Sequence, residues 1–109
     1  MRKKVMISQP MAGLDKGEII ETRELARYKL LKAGYEVVDS FVVKDPPKDV
    51  TNTAVWYLSK SIEVMSKVDA VYFCNGWANA RGCLIEHHTA QYYNLECLHE
   101  GEIVGGEQI

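Results

Sequence analysis

The chain has 109 residues, with 13 Lys and Arg against 15 Asp and Glu for a net charge of -2, and it carries three cysteines and three histidines. That length supports one core and not two, and with no run of like charge longer than Arg2–Lys4 it offers no electrostatic footprint for nucleic acid or an anionic membrane surface. No apolar stretch nears the roughly 20 residues of a membrane-spanning helix, and the first strand pattern begins almost at Met1, leaving no room for a signal peptide. Cys74, Cys83 and Cys97 are odd in number and lack CxxC spacing, so they read as reduced thiols of a cytoplasmic protein whose partner is a small molecule or itself.

Val5–Ser8, behind Lys3 and Lys4, reads as a short buried strand that stops at Gln9–Pro10, because proline has no N–H for a ladder. The turn QPMAG follows. Asp15 with Glu18 three residues later resembles a capping box, and Ile19, Ala26, Leu30 and Ala33 recur at helical spacing up to a stop at Gly34. Tyr35–Asp39 reads as a second strand. The connection Ser40–Asn52 carries two prolines and no periodic pattern, and loops of that length are often functional. Thr53 reads as the cap of a second helix, with Val55, Leu58, Ile62 and Met65 at apolar spacing and Trp56 and Tyr57 on their flanks. Ala70–Cys74 is an unbroken apolar run, a third strand, and it enters a glycine-marked loop, Asn75–Gly82. A third helix from Cys83 to Tyr93 carries Glu86 about one turn in, and Leu95–Leu98 reads as a fourth strand before a polar tail, residues 100–109, expected to fray or take part in a subunit contact.

Strands alternating with helices argue for a single α/β domain over residues 1–109: a three-layer flavodoxin-like or Rossmann-like fold, with a small parallel sheet of order 2-1-3-4 and helices on both faces. That order puts the topological switch between the first and third strands, so QPMAG and NGWANARG face each other across the crevice where ligands bind. Glu86 sits at its mouth as the candidate catalytic residue, or else serves only as a carboxylate favoured at a helix start. Ser8 and Gln9 either hydrogen-bond a ligand or simply make the turn, and Pro10, Met11 and Gly13 complete that turn as candidate binding residues. Gly76 and Gly82 let backbone come close to a ligand. Arg81 holds a phosphate or sugar hydroxyls, or pairs with Asp39 or Glu86. Trp77 stacks on a base or plugs a subunit interface. Cys83 and His87 are four apart, but two ligands are not a site; with no HExxH or CxxC, and His88 on a stripe with Leu84 and Tyr92, neither metal nor cofactor is expected.

The segments ISQPMAG, GYEVVDS, SKSIEVMSKVDAVYF and GWANARGCLIEHHTA resemble the nucleoside 2-deoxyribosyltransferase-like domains, in a small DUF4406-type branch of that superfamily. The likeness runs from about Lys4 to Leu98 and is most specific in Gly76–Trp77, Arg81–Gly82 and Glu86. It implies that Glu86 attacks the anomeric carbon of a nucleoside or nucleotide, and that a homodimer or homotetramer completes its sites from neighbouring subunits. Met6, Ser61 and Ala80 stand where active members carry a tyrosine and two aspartates; Ser61, with Asp39, is counted among the binding residues. N-glycoside cleavage passes through an oxocarbenium-like transition state that one carboxylate can stabilise or trap, while the departing base needs a proton. Asp39, Asp45 and Asp49 are the candidate acids. If none reaches the crevice, the alternative is a domain that binds a nucleoside or nucleotide there without catalysis.

Overall fold

Two apolar runs form the centre of the sheet, β1 (Lys4–Ser8) and β3 (Ala70–Phe73), and every residue of both except Lys4 is buried. They pair in parallel, Val5 opposite Ala70 through Ser8 opposite Phe73. A strand buried on both faces needs apolar side chains at successive positions, and these two runs supply them. The flanks are β2 (Glu36–Val37) beside β1 and β4 (Glu96–His99) beside β3, giving an all-parallel sheet of order β2-β1-β3-β4. The computed structural model describes residues 2–40, 44–101, 103–104 and 107–108, the last two pairs for their backbone only.

Alternation along the central strands splits the core in two. Val5 and Ile7 face α1 (Lys16–Lys32) and pack with Ala26, Leu30, Tyr35 and Tyr72. Met6 and Phe73 face the opposite layer with Met65 of α2 (Thr53–Met65) and Ala90 of α3 (Arg81–Tyr92). Helices therefore cover both faces, as expected. Each fully buried large apolar side chain, such as Leu30 at 0% exposure, contributes about 1.5–3 kcal/mol of transfer free energy.

Several boundaries differ from the sequence reading, each for a local reason. The second strand is shorter than Tyr35–Asp39: it is an edge strand whose last ladder bond is Val38 N–H to the Val5 carbonyl, after which Asp39 turns toward Arg23. Asn52, not Thr53, caps α2, its side-chain oxygen accepting from Val55 N–H at 3.0 Å. Asp15 does cap α1, accepting from Gly17 and Glu18. The third helix begins at Arg81 rather than Cys83, with Ala80 as a cap that offers no side-chain hydrogen bond, so Gly82 belongs to the helix. In the tail, β5 (Ile103–Val104) and β6 (Glu107–Gln108) pair antiparallel, where fraying or a subunit contact was expected. Residues 41–43 of the long connection, and 102, 105, 106 and 109 of the tail, lie outside the described residues.

Candidate functional site

At the carboxyl end of the sheet the loops after β1 and β3 meet. Cys74 N–H donates to the Ser8 carbonyl at 2.9 Å, and a side chain built on Gly76 would meet Pro10 at 3.4 Å. Gly76 also has φ of +91°, a conformation that costs other residues about 1 kcal/mol or more. The contact is an ordinary one, so it is the backbone conformation that favours glycine there. Between these loops, α1 and α2 opens a cleft of about 640 Å³, within the range typical of small-molecule sites.

Glu86 lines this cleft at 7% exposure. Because α3 starts two residues earlier than its pattern suggested, Glu86 lies in the second turn, and the first turn contains no acidic residue. The helix-start reading of this carboxylate therefore fails: the amino-terminal dipole acts within the first turn, and burial works against the charge. Ser8 donates its hydroxyl to Glu86 Oε1 at 2.6 Å. Burial raises the Glu86 pKa above the ordinary carboxylate range, and hydrogen bonding by Ser8 and Ser61 and the charge of Arg23 pull it partly back. Cys83, also on the cleft wall, has its thiol pushed up by burial, which leaves it protonated and a poor nucleophile.

The structure brings most of the expected residues together. Gln9, Pro10, Met11, Ser61, Arg81 and Gly82 all line the cleft with Glu86, and Ser8 joins through its bond to that carboxylate. Gln9 is 6% exposed; its Nε2 donates to the Ile19 carbonyl at 3.0 Å while its Oε1 finds no donor among the described residues, an omission that costs about 1–3 kcal/mol. Arg81 is exposed at the rim and makes no ion pair with Asp39 or Glu86.

Four expected residues stand elsewhere. Trp77 turns away from the cleft: its indole stacks on His87 at 4.1 Å and packs against Phe73 and His99, because that cluster buries a large ring better than an open loop would. Asp39 is outside the cleft lining, 3.6 Å from Arg23 Nη1 and largely exposed. Gly13 shapes the turn through its φ of +79° and, like Gly76, is not part of the lining. His87 faces His99, Nε2 to Nε2 at 3.1 Å, rather than Cys83; burial first, then His99 and His88, lower its pKa. No cluster of three or more metal-ligating side chains occurs among the described residues.

Arg23 and the α2 wall were not singled out from the sequence as parts of the site. Arg23 is buried under the cleft, its Nη2 donating to Ser40, whose hydroxyl donates to the Ile7 carbonyl and which lines the cleft. Its position was readable: it lies four residues after Ile19 and three before Ala26, on the apolar stripe of α1. Ala54, Tyr57 and Leu58 of α2 form the outer wall, and Tyr57 donates to the Lys44 carbonyl, tying the described end of the connection to that wall. The 3-4 spacing that marked Val55 and Leu58 as core is satisfied differently, since Val55 is 57% exposed and Leu58 borders the cleft. A second depression, about 800 Å³, lies at the amino ends of the strands against Lys3, Asp69 and Glu96, all of them exposed.

Among the described residues the cleft is lined by one acid, Glu86. Asp39, Asp45 and Asp49 are all exposed and none lines it. No curated protein and no solved structure matches the chain. The model of one family, described as Domain of unknown function (DUF4406), matches residues 3–99, which include the whole parallel sheet and both loops of the cleft. The chain belongs to the DUF4406 family.

Proposed function

We propose that this protein cleaves or transfers at the N-glycosidic bond of a nucleoside or deoxynucleotide, in the manner of a nucleoside 2-deoxyribosyltransferase or N-hydrolase, with Glu86 as nucleophile. The observation that carries the reading is a single buried carboxylate on the wall of a cleft at the topological switch, with Ser8 2.6 Å from one oxygen. The sequence resemblance supplies the substrate class. Glu86 attacks the anomeric carbon as the carbon–nitrogen bond breaks, and the base departs with the bonding electrons and takes a proton. Water or a second base then attacks the same carbon, gives up a proton to solvent in place of the one the departing base took, and frees the carboxylate. Only ionised Glu86 can begin this sequence. Ser8, Ser61 and Arg23 favour that form against the effect of burial.

The solitary acid favours a second reading, a domain that binds the same ligands without cleaving them, since among the described residues no second carboxyl lines the cleft to protonate the leaving base. A neighbouring subunit is the other source of such a donor. We place the protein in a homodimer or homotetramer, supported by apolar side chains left in solvent on α2 and α3, Val55 at 57%, Tyr92 at 80% and Tyr93 next to it at 75%. We place it in the cytoplasm, where its three free thiols would stay reduced. No helix among the described residues is long and apolar enough to cross a membrane.

The test is a panel of nucleosides and 5′-deoxynucleotides incubated with the protein, followed for released and exchanged base and, in parallel, for melting temperature. Released base supports the enzyme. A raised melting temperature without released base leaves the binding domain, and neither response with any compound refutes both. A ligand at 100 times its dissociation constant stabilises by about 2.7 kcal/mol, well within reach of the melting assay.

A further inference from the structure

We infer that α1 pairs antiparallel with α1 of a second copy of this chain, along a seam of Ile20, Glu24, Arg27 and Leu31. The inference adds a contact to the homo-oligomer proposed above and is independent of the nucleoside reading. It uses a different surface, because α1 covers the face of the sheet opposite α2 and α3. At 3.6 residues per turn the four side chains fall within roughly 60° of the helix circumference. They stand beside the buried stripe of Arg23, Ala26 and Leu30, and all four are exposed, Ile20 and Leu31 at 45% each. Arg23 is the member of that stripe nearest the seam, and it reaches Asp39 and Ser40 past the end of β2, so the seam looks out over the β2 edge of the sheet. β5 lies against α1 as well, and the four remain exposed beside it.

Half-exposed apolar residues standing singly are common and need no partner. Here it is their order that points to one: apolar, acidic, basic, apolar, at spacings of 4, 3 and 4. That order is symmetric about the point between Leu25 and Ala26. A two-fold axis there lays Ile20 on the partner's Leu31 and Glu24 on the partner's Arg27, and each contact occurs twice. An antiparallel copy is thus matched at every position, whereas a parallel copy would set Glu24 against Glu24 and Arg27 against Arg27. Within the chain Glu24 and Arg27 are one turn apart, yet neither makes an ion pair among the described residues. Neither lies in the first or last turn of α1, so the helix dipole does not account for their order. An arginine facing a carboxylate can make two parallel hydrogen bonds, the geometry best suited to an interface.

The test is sedimentation velocity over a concentration series reaching the hundreds of micromolar, because one helix seam is smaller than a standard interface and micromolar association is expected. Glu24→Arg puts four positive charges in the seam and Arg27→Glu four negative ones, so each variant alone should associate at least tenfold more weakly than the wild type. An equimolar mixture of the two should recover association, since each supplies the sign the other lacks. The doubly swapped chain, Glu24→Arg with Arg27→Glu, should recover it alone. Leu31→Ser, at the apolar end of the seam, should also weaken association, and it decides the matter if a charge variant does not fold. Where the α2 and α3 faces associate too, the single variants lower the assembly by one step rather than to the monomer. Single variants that associate as tightly as the wild type, or a mixture of folded variants that stays apart, overturn the inference and leave assembly through α2 and α3 standing. A wild type that stays monomeric throughout overturns both, with the nucleoside reading still tested by base release.

Discussion

Ser8→Ala removes one hydroxyl from the end of β1, and its effect is expected to depend on pH because its partner is a titrating carboxyl. Ser8 Oγ lies 2.6 Å from Glu86 Oε1, and both residues are buried. A hydrogen bond to an ionised group contributes about 1.5–3 kcal/mol against about 0.5–1.5 kcal/mol for a neutral one, so the substitution should cost about 1 kcal/mol more at pH 8 than at pH 4. The wild-type background slopes the same way. The Glu86 pKa is raised on folding, so the folded state binds the proton more tightly than the unfolded chain does. Its influence on stability is therefore most favourable below the unfolded pKa and is lost as pH rises through the folded one. Ser8→Ala pushes that folded pKa higher and deepens the loss on the alkaline side. Urea unfolding at pH 4 and pH 8, alone and in the Glu86→Gln background, measures the coupling. In a domain of this size about 1 kcal/mol corresponds to roughly 4–8 °C in melting temperature. A cost equal at both pH values and unchanged in the Glu86→Gln background would refute a charge-assisted bond between these residues.

Glu86→Gln by itself should raise the melting temperature at pH 8, since it removes a buried charge while keeping an acceptor for Ser8, and thermal melts should show the gain closing below about pH 4 where the carboxyl is neutral. Leu30→Ala, at 0% exposure in the α1 core, should cost about 2–5 kcal/mol by chemical denaturation, whereas Leu25→Ala, at 57% exposure, should stay within about 0.5 kcal/mol. Asn52→Ala should cost about 1 kcal/mol in the same assay and Thr53→Ala a few tenths, because the α2 cap belongs to Asn52.

Where periodicity and burial obey one cause, the chain could be read directly. Val5–Ile7 and the run from Ala70 are apolar because they are central parallel strands, and the order β2-β1-β3-β4 follows from alternating strands and helices with right-handed crossovers. Glu86, Ser8 and Gln9 were legible for the same reason, since ligand sites of open α/β sheets lie at carboxyl ends of strands. Legibility failed where one pattern has two causes. Leu58 has the spacing of a core residue and borders the cleft, and Trp77 sits on a loop but is claimed by Phe73 and His87. Arg23 looks like one more surface charge of α1 unless its place on the apolar stripe is counted. The start of α3 could not be fixed from residue types because its cap, Ala80, is not a capping residue. That two-residue difference moved Glu86 out of the first turn and into the cleft wall.

The claim on which the account turns is that Glu86 is the reacting group of this cleft. The most direct measurement is the rate of base release by wild-type protein and by Glu86→Gln, on the nucleoside that most raises the melting temperature, with binding followed in the same samples. The account predicts that turnover falls by at least about 10³-fold while the dissociation constant changes far less, as for a group acting in the transition state alone. Turnover by Glu86→Gln at the wild-type rate, with the ligand bound, would contradict it.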